Sequence, residues 1–225
     1  MTTWILDLET VALPGAEAWH DPILPDTSPV LPDARLTDPI KIAASIEKKT
    51  REREEAHAAK LAARFDGFST DPDCCRIALL GTADYKGMMI QTIIRTDDEE
   101  RAVLERFWDA YRNASPRLVT FNGLAFDLPV LMRRSLWLGV PHPQLNLDRY
   151  RSEHPDLYQM LSCRGTVKAH ALRFYRRRMG LPDDPTSGAD IAALVAAGDW
   201  DAVRAHNRAD LETTYTLAQR MGVLG

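Results

Sequence analysis

The first ten residues combine an apolar strand pattern with two carboxylates, and this combination constrains the fold more than any other segment. Apolar side chains within residues 4–8 surround Asp7 and precede Glu9. Side chains two residues apart on a strand point to the same face of a sheet, so both carboxylates should share one side. Carboxylates that meet in a core repel each other unless a cation or a proton resolves the charge. The segment therefore predicts a core strand with one half of a metal site, although Asp-x-Glu pairs also arise by chance in acidic chains.

Later segments show strand signals first and helical signals afterwards. Two β-rich runs are separated by Asp84–Gly87, which is hairpin spacing, and a short apolar run follows them. Amphipathic patterns and glycines mark the helices. The predicted strands after the first are 76–83, 88–95 and 117–121, and the predicted helices are about 97–114, 126–139, 156–162, 169–179, 187–197 and 199–222. This order predicts an α+β or a mixed α/β fold, with helices packed on a central sheet.

Residues 14–72 are predicted to be an insertion that consists of a proline-rich loop and an exposed helix. Five prolines between residues 14 and 32 exclude a continuous helix or a central strand there. Asp38 is a favourable N-cap and Pro39 suits the first helical position, so a charged helix is expected at about 39–65. Its apolar stripe is thin. The helix is therefore either a solvated surface or a contact surface for a partner protein, a second copy or nucleic acid.

Composition excludes several classes of protein. The chain has 225 residues, of which 45% are hydrophobic, and its formal net charge is −4. A sizeable core is possible, but the bulk positive charge of proteins that coat DNA is missing, so a nucleic-acid partner would have to be held locally. No apolar run approaches the roughly 18 residues of a membrane span, and the N-terminus lacks a secretion-signal pattern. Since the three cysteines fit neither a disulfide framework nor metal-ligand spacing, we expect a cytoplasmic protein with reduced thiols.

Two further acids occur where the predicted elements could present them to one site. Asp127 closes the segment 122–127 directly after an apolar strand, at the end of an open sheet where ligands gather. It is equally suited to cap the helix that follows. His206 and Asp210 are four residues apart and so lie on one face of the last helix. The pattern alone leaves open whether they form part of a site or a surface pair beside neighbouring arginines.

Taken together, these acids resemble those of the DEDD superfamily of 3′-5′ exonucleases, in particular the exonuclease domain of family-B DNA polymerases and its stand-alone bacterial and phage-like relatives. The first motif matches residues 7–10, the second is the Asn-x-x-x-Phe-Asp pattern that ends at Asp127, and the third matches residues 206–210. Each motif is weak by itself, but their order, spacing and predicted context match over nearly the whole chain. The resemblance implies a ribonuclease-H-like α/β fold, a mixed sheet flanked by helices, in one domain covering residues 1–225.

The resemblance also implies the chemistry: hydrolysis of phosphodiester bonds from the 3′ end of single-stranded nucleic acid, with DNA favoured. Two Mg²⁺ or Mn²⁺ ions roughly 3.5–4 Å apart would serve the attacking water and the leaving oxygen, and such hard cations prefer carboxylate oxygens. Asp7 would bridge both ions, and Asp127 would help to hold one of them. Glu9 and Asp210 would complete the site that activates water, which His206 would orient or deprotonate.

One position departs from the superfamily pattern. Its members carry a Tyr four residues, or a His five residues, before the last Asp, whereas residue 205 is Ala and residue 206 is His here. His206 therefore occupies the place of the Tyr. A tyrosine can orient a water molecule, and a neutral imidazole can also accept its proton. The role of His206 and the pH dependence of the reaction are left open by the sequence.

Substrate contacts are expected near the motifs and in a basic segment. Val11 and Leu13 could wedge against a terminal base. Lys168 and the arginines at 164, 173 and 176–178 could contact phosphates, or they could simply face solvent. The candidate substrate-binding residues are Thr10, Val11, Leu13, Asn122, Phe126 and Lys168.

A chain of 225 residues leaves no room for the palm and fingers of a polymerase, so we expect a free-standing trimming enzyme or the nuclease subunit of an assembly. Its expected partners are a single-stranded DNA or RNA 3′ end and, through the 39–65 helix, a second copy or another protein; no membrane partner is expected. The rival functions are a catalytically silent nucleic-acid-binding module and a nuclease-like scaffold. Retention of all four acids argues against the silent module, because unpaired buried carboxylates without a metal destabilise a fold. Stabilisation by metal ions would separate a metal site from a scaffold whose acids are caps and surface charges.

Overall fold

The structure is a computed structural model that describes residues 2–224. The chain divides into two compact units, one formed by Met1–Leu13 and Ser69–Gly225 and the other by Pro14–Phe68. The smaller unit contains a 30-residue helix, α1, Pro39–Phe68. Of the α1 residues, all of which the structure describes, Phe68 is the one that is buried. The helix is therefore charged and largely exposed to solvent.

Local contacts stabilise the first turn of α1. Others attach the helix to the proline-containing segment within the smaller unit. Asp38 Oδ1 accepts a hydrogen bond from the amide of Ile40 at 2.9 Å, which satisfies a donor of the first turn. Lys49 Nζ lies 2.8 Å from Asp33 Oδ1. Because an exposed ion pair contributes only about 0–1 kcal/mol, this attachment depends on several weak contacts together.

The larger unit is built on a four-stranded mixed sheet. Its strands are β1 Thr3–Ala12, β2 Cys75–Asp84, β3 Met89–Ile93 and β4 Arg117–Val119, and they lie in the order β3-β2-β1-β4. β2 is antiparallel to both β1 and β3, whereas β4 is parallel to β1. β1, a central strand of 10 residues, therefore has an antiparallel neighbour of equal length on one side and a much shorter parallel neighbour on the other.

Helices cover both faces of this sheet. They are α2 Asp97–Ala114, α3 Asp127–Leu138, α4 Leu157–Leu161, α5 Leu172–Arg178, α6 Ile191–Ala197 and α7 Trp200–Arg220. α2 and α3 pack on one face, α6 and α7 pack on the other, and α4 and α5 lie against α7. The predicted α/β class, with a mixed sheet flanked by helices and an inserted charged helix, is confirmed. Within residues 2–224, the helices lack the combination of length and apolar character needed to cross a membrane.

Two predicted elements differ at their ends for identifiable reasons. The strand predicted at 117–121 ends at Val119. Beyond Val119 the backbone amides of Asn122 and Leu124 donate hydrogen bonds to the carboxylate of the buried Asp156, at 2.9 and 3.1 Å, instead of pairing with a strand. The helix predicted from 187 begins with a 3₁₀ turn, Gly188–Asp190, that is fixed by a capping box. α6 itself therefore starts at residue 191.

Side chains along β1 point alternately to the two faces of the sheet, so each packs against one of the two helical layers. Leu6 and Leu8 are buried in the cluster formed with α2 and α3. Ile5 points the other way, into the cluster formed with α7. Since residues of one parity share a face, Asp7 and Glu9 lie on the α7 face of the sheet with Ile5.

Candidate active site

A cavity of about 680 Å³ in the larger unit brings residues of the three predicted motifs together. Its walls come from β1, from the segment that follows β4, from residues 171–188 and from α7. The predicted site residues in its lining are Asp7, Glu9, Thr10, Asn122, Phe126, Asp127, His206 and Asp210. Acids from the beginning, middle and end of the sequence therefore share one solvent-accessible space.

The fully buried Asn207 of α7 fixes the orientation of Asp7. Asn207 Nδ2 donates to Asp7 Oδ2 at 2.7 Å, and Asn207 Oδ1 accepts from Gln91 Nε2 at 2.9 Å. Gly81 is the register partner of both Asp7 and Gln91, so the Asn207 side chain lies across a row of three strands. A Cβ atom at Gly81 would lie 2.1 Å from Asn207 Oδ1. Any residue with a Cβ atom at position 81 would therefore displace the Asn207 side chain from Asp7.

The side chain of Asp127 attaches the start of α3 to β1. The N-cap of α3 is Phe126, and Asp127 Oδ1 instead accepts a hydrogen bond from the amide of Leu8 at 3.0 Å. β4 pairs with β1 only as far as Ile5, so the edge of β1 at Leu8 lies beyond the paired region. The interpretation of Asp127 as a simple helix cap is wrong. Its carboxylate is held against the strand that carries Asp7.

His206 and Asp210 lie one turn apart on α7, with His206 Nε2 3.8 Å from Asp210 Oδ2. The His206 side chain is only 8% exposed, so the alternative of a surface pair is wrong. A third group, Asp184, joins them from the segment between α5 and α6: its Oδ2 lies 2.5 Å from His206 Nδ1. One ligand atom from each of these three residues lies within 4.8 Å of the other two.

The crowded carboxylates hold protons more tightly than isolated ones. Burial raises the pKa of Asp7 well above its ordinary value, and the neighbouring charges of Glu9, Asp210 and Asp127 raise it further. Burial likewise raises the pKa of Glu9 well above its ordinary value and raises that of Asp210. For Asp127, burial raises the pKa from 3.8 to about 7. Ionisation of all four groups at neutral pH therefore requires a compensating positive charge.

The donor set suits hard divalent cations. Four carboxylates offer oxygen ligands, which Mg²⁺ and Mn²⁺ prefer, and His206 adds one imidazole nitrogen. The hydrogen bonds that Asp7 and Asp127 accept occupy only part of their carboxylate lone pairs, so the remaining lone pairs can bind an ion. The residues present therefore fit a site for divalent metal ions.

The predicted substrate-binding residues divide into two groups. Thr10, Asn122 and Phe126 are in the cavity lining. Val11 is instead buried in a cluster with residues of β2, α6 and α7, so its side chain packs in the core. Leu13 is half-buried and Lys168 is exposed, and the structure places neither in the lining.

Sequence reasoning missed Asn207 and Asp184. Asn207 directly follows His206 in the third motif, and its polarity on a buried helix face is a signal that could have identified it. Asp184 is 22 residues from its partner and lies in an irregular segment, so no periodic pattern connects the two. Among the basic residues singled out from the sequence, Arg173 and Arg176 are in the cavity lining.

Comparisons with known proteins identify a family and a similar fold. A family model described as a predicted 3′-5′ exonuclease related to the exonuclease domain of PolB matches residues 73–224, a range that begins after the first motif. A DNA polymerase from Pyrococcus glycovorans is 26% identical in an alignment of 171 residues that covers 64% of this chain and 22% of that protein. The structure of the family B DNA polymerase from the hyperthermophilic archaeon Pyrobaculum calidifontis is similar with a TM-score of 0.57 and 19% identity, over 69% of this chain and 23% of that one. This chain therefore spans less than a quarter of either polymerase.

Proposed function

Since this chain belongs to the family of predicted 3′-5′ exonucleases related to the exonuclease domain of PolB, we propose that it removes nucleotides from the 3′ end of single-stranded nucleic acid, with DNA favoured, in a reaction that depends on divalent metal ions. The observation that carries the proposal is the meeting of Asp7, Glu9, Asp127 and Asp210 in one cavity. All four pKa values are raised, so the arrangement is costly to the fold until cations compensate it. A metal site supplies that compensation.

Two Mg²⁺ or Mn²⁺ ions bound by these carboxylates would stabilise the charge on the attacking and leaving oxygens of a phosphodiester. Asp7 would hold both ions and Asp127 one of them. Glu9 and Asp210 would hold the ion on the His206 side of the cavity. This assignment follows the roles that the family resemblance implies.

The protein's own groups keep these ligands in place and act on the water. Asn207 holds the Asp7 carboxylate, and the amide of Leu8 holds that of Asp127. His206 would orient the attacking water or accept its proton through Nε2, the ring nitrogen nearer Asp210. The aromatic ring of Phe126 lines the cavity and could stack on a base near the scissile end.

The direct test is digestion of 5′-labelled single strands of DNA and RNA of the same sequence, with free or blocked 3′ ends, in Mg²⁺, Mn²⁺ or a chelator. We expect a ladder of shortened products only with a free 3′ end and a metal ion, and faster cutting of DNA. Asp7→Asn and Asp210→Asn should lose this activity. Asp109→Asn is the matched control, because Asp109 is an exposed partner of Arg112 on α2. Full activity in Asp7→Asn would rule out the proposed site.

The same preparations separate the rival functions. A silent nucleic-acid-binding module would retain the strand in a mobility-shift assay and leave it uncut. A scaffold whose acids bind no metal would show no rise in melting temperature with Mn²⁺, whereas a site that binds ions only in the folded state raises it by mass action. Cutting of circular single strands would indicate an endonuclease instead.

A further inference from the structure

Asp184 makes two contacts that fix its carboxylate in one orientation. Oδ1 accepts a hydrogen bond from the amide of Thr186 at 3.0 Å, and Oδ2 lies 2.5 Å from Nδ1 of His206. Both side chains of the pair are nearly enclosed: His206 is 8% and Asp184 is 11% exposed. A short contact between largely buried groups is held more firmly than a surface pair.

The segment that carries Asp184 is attached to α7 by Arg176, which is 5% exposed. Its Nε donates to the carbonyl of Pro182 at 2.5 Å. Its Nη1 donates to the carbonyl of Ala209 at 2.6 Å and to Thr213 Oγ1 at 2.8 Å. Arg176 therefore joins the residues just before Asp184 to the helix that carries His206.

We propose that Asp184 is a positioning residue: it holds His206 in the tautomer that carries its proton on Nδ1, so that the unprotonated Nε2 faces the Asp210 side of the cavity. An ionised carboxylate only accepts hydrogen bonds, so Nδ1 must be the donor in this contact. In a neutral imidazole the other nitrogen is then the acceptor. This inference rests on the proposed function, because the acceptor nitrogen is the one that would act on the attacking water.

A competing role for Asp184 is direct metal binding together with His206 and Asp210, whose ligand atoms lie close to it. The contact of 2.5 Å between Asp184 Oδ2 and His206 Nδ1 favours positioning, since the two atoms lie at hydrogen-bond distance from each other. The two roles predict different behaviour. A positioning residue affects turnover and leaves metal affinity unchanged, whereas a ligand affects both.

The first measurement is the tautomer of His206, from two-bond ¹H–¹⁵N correlation spectra of the histidine rings over a pH series, assigned with His206→Gln. We expect the Nδ1–H form as the neutral species in the metal-free parent. Asp184→Asn keeps the size of the side chain but offers an NH₂ group that can donate to Nδ1, which reverses the tautomer. This readout needs no nuclease activity, so it distinguishes failure of this inference from failure of the proposed function.

The second measurement is turnover. Asp184→Asn should lower kcat by about 10–100-fold, the usual effect of removing a group that orients a functional one, with KM and the Mn²⁺-induced rise in melting temperature unchanged. Asp184→Glu should restore part of kcat because it keeps the accepting carboxylate. The control is Asp183→Asn, because the Asp183 carboxylate is next to Asp184 in the sequence but pairs with Arg177 rather than with His206. It should keep both tautomer and kcat.

Three results would overturn the proposal. The first is a neutral His206 ring in the parent protein that carries its proton on Nε2; this result does not require any variant to fold. Asp184→Asn could keep the parent tautomer and parent kcat. A loss of the Mn²⁺-induced stabilisation in Asp184→Asn would make Asp184 a ligand instead.

Discussion

Replacing Asp127 by Asn should stabilise the metal-free protein while it removes activity. Asp127 is 4% exposed, and burial raises its pKa from 3.8 to about 7. Asparagine has nearly the same shape, and its Oδ1 can still accept the hydrogen bond from the amide of Leu8. The variant therefore keeps the contact with β1 and removes the cost of a buried charge, together with a proposed metal ligand.

The size and the sign of this effect follow from the raised pKa. About three pKa units at about 1.4 kcal/mol each make ionisation of Asp127 in the folded state cost on the order of 4 kcal/mol. For a domain of this size, at about 2–4 °C per kcal/mol, that corresponds to a rise in melting temperature of about 8–16 °C at most. Because the folded state holds the proton more tightly, parental stability falls as the pH rises from about 4 to about 7. The gain from Asn should be small near pH 4 and largest above pH 7.

The assay is thermal unfolding in a chelator at several pH values across this window, repeated with Mn²⁺. The parent should gain stability from Mn²⁺ most strongly at high pH, and Asp127→Asn should gain less. Asp183→Asn is the opposite control, because a hydrogen bond from Arg177 lowers the pKa of Asp183 to about 2, so removing its charge should not stabilise the fold. A lower melting temperature for Asp127→Asn than for the parent at about pH 8 without metal would refute the reasoning.

Three further outcomes are expected. Asn207→Ala frees the carboxylate of Asp7 and should lower activity about 10–100-fold in the strand-digestion assay, whereas an unchanged rate would show that Asp7 needs no support. Gly81→Ala should have a similar effect, since its Cβ would displace the Asn207 side chain; the rate in the double variant Gly81→Ala/Asn207→Ala should match that of the single ones. Glu100→Ala removes the two hydrogen bonds that pair the buried guanidinium of Arg134, which keeps only the 3.5 Å contact with the exposed Asp97, and should cost about 3–5 kcal/mol in chemical denaturation. Part of this should be recovered when both residues are replaced by Met, since the buried amide of Ile77 also loses its acceptor.

Local patterns were sufficient to predict most of the fold. Strand alternation in β1 placed Asp7 and Glu9 on one face, and helix signals gave α2, α3 and α7 with small errors at their ends. The resemblance to the exonuclease domain of family-B polymerases, stated from three short motifs, is confirmed. These signals succeed because each depends on residues that are neighbours in sequence.

Contacts between distant segments account for what sequence reasoning missed. Asp184 reaches His206 because Arg176 attaches an irregular segment to α7, and no sequence spacing encodes that attachment. Val11 was expected to touch a substrate base, but the structure buries it in the core. A hydrophobic side chain suits both a substrate contact and the core, and Val11 lies in the core because β1 packs on α6 and α7 there.

The candidate site forms where the regular pairing of β1 ends. β4 stops pairing with β1 at Ile5, which leaves the amide of Leu8 for Asp127, and the register with β2 shifts between Glu9 and Thr10. Such irregularities re-aim side chains and expose backbone groups that a continuous ladder would occupy. Because the early end of the β4 pairing leaves the Leu8 amide to Asp127, a longer β4 would remove this contact even if every acid were retained. The length of β4 therefore helps to determine where the Asp127 carboxylate is held.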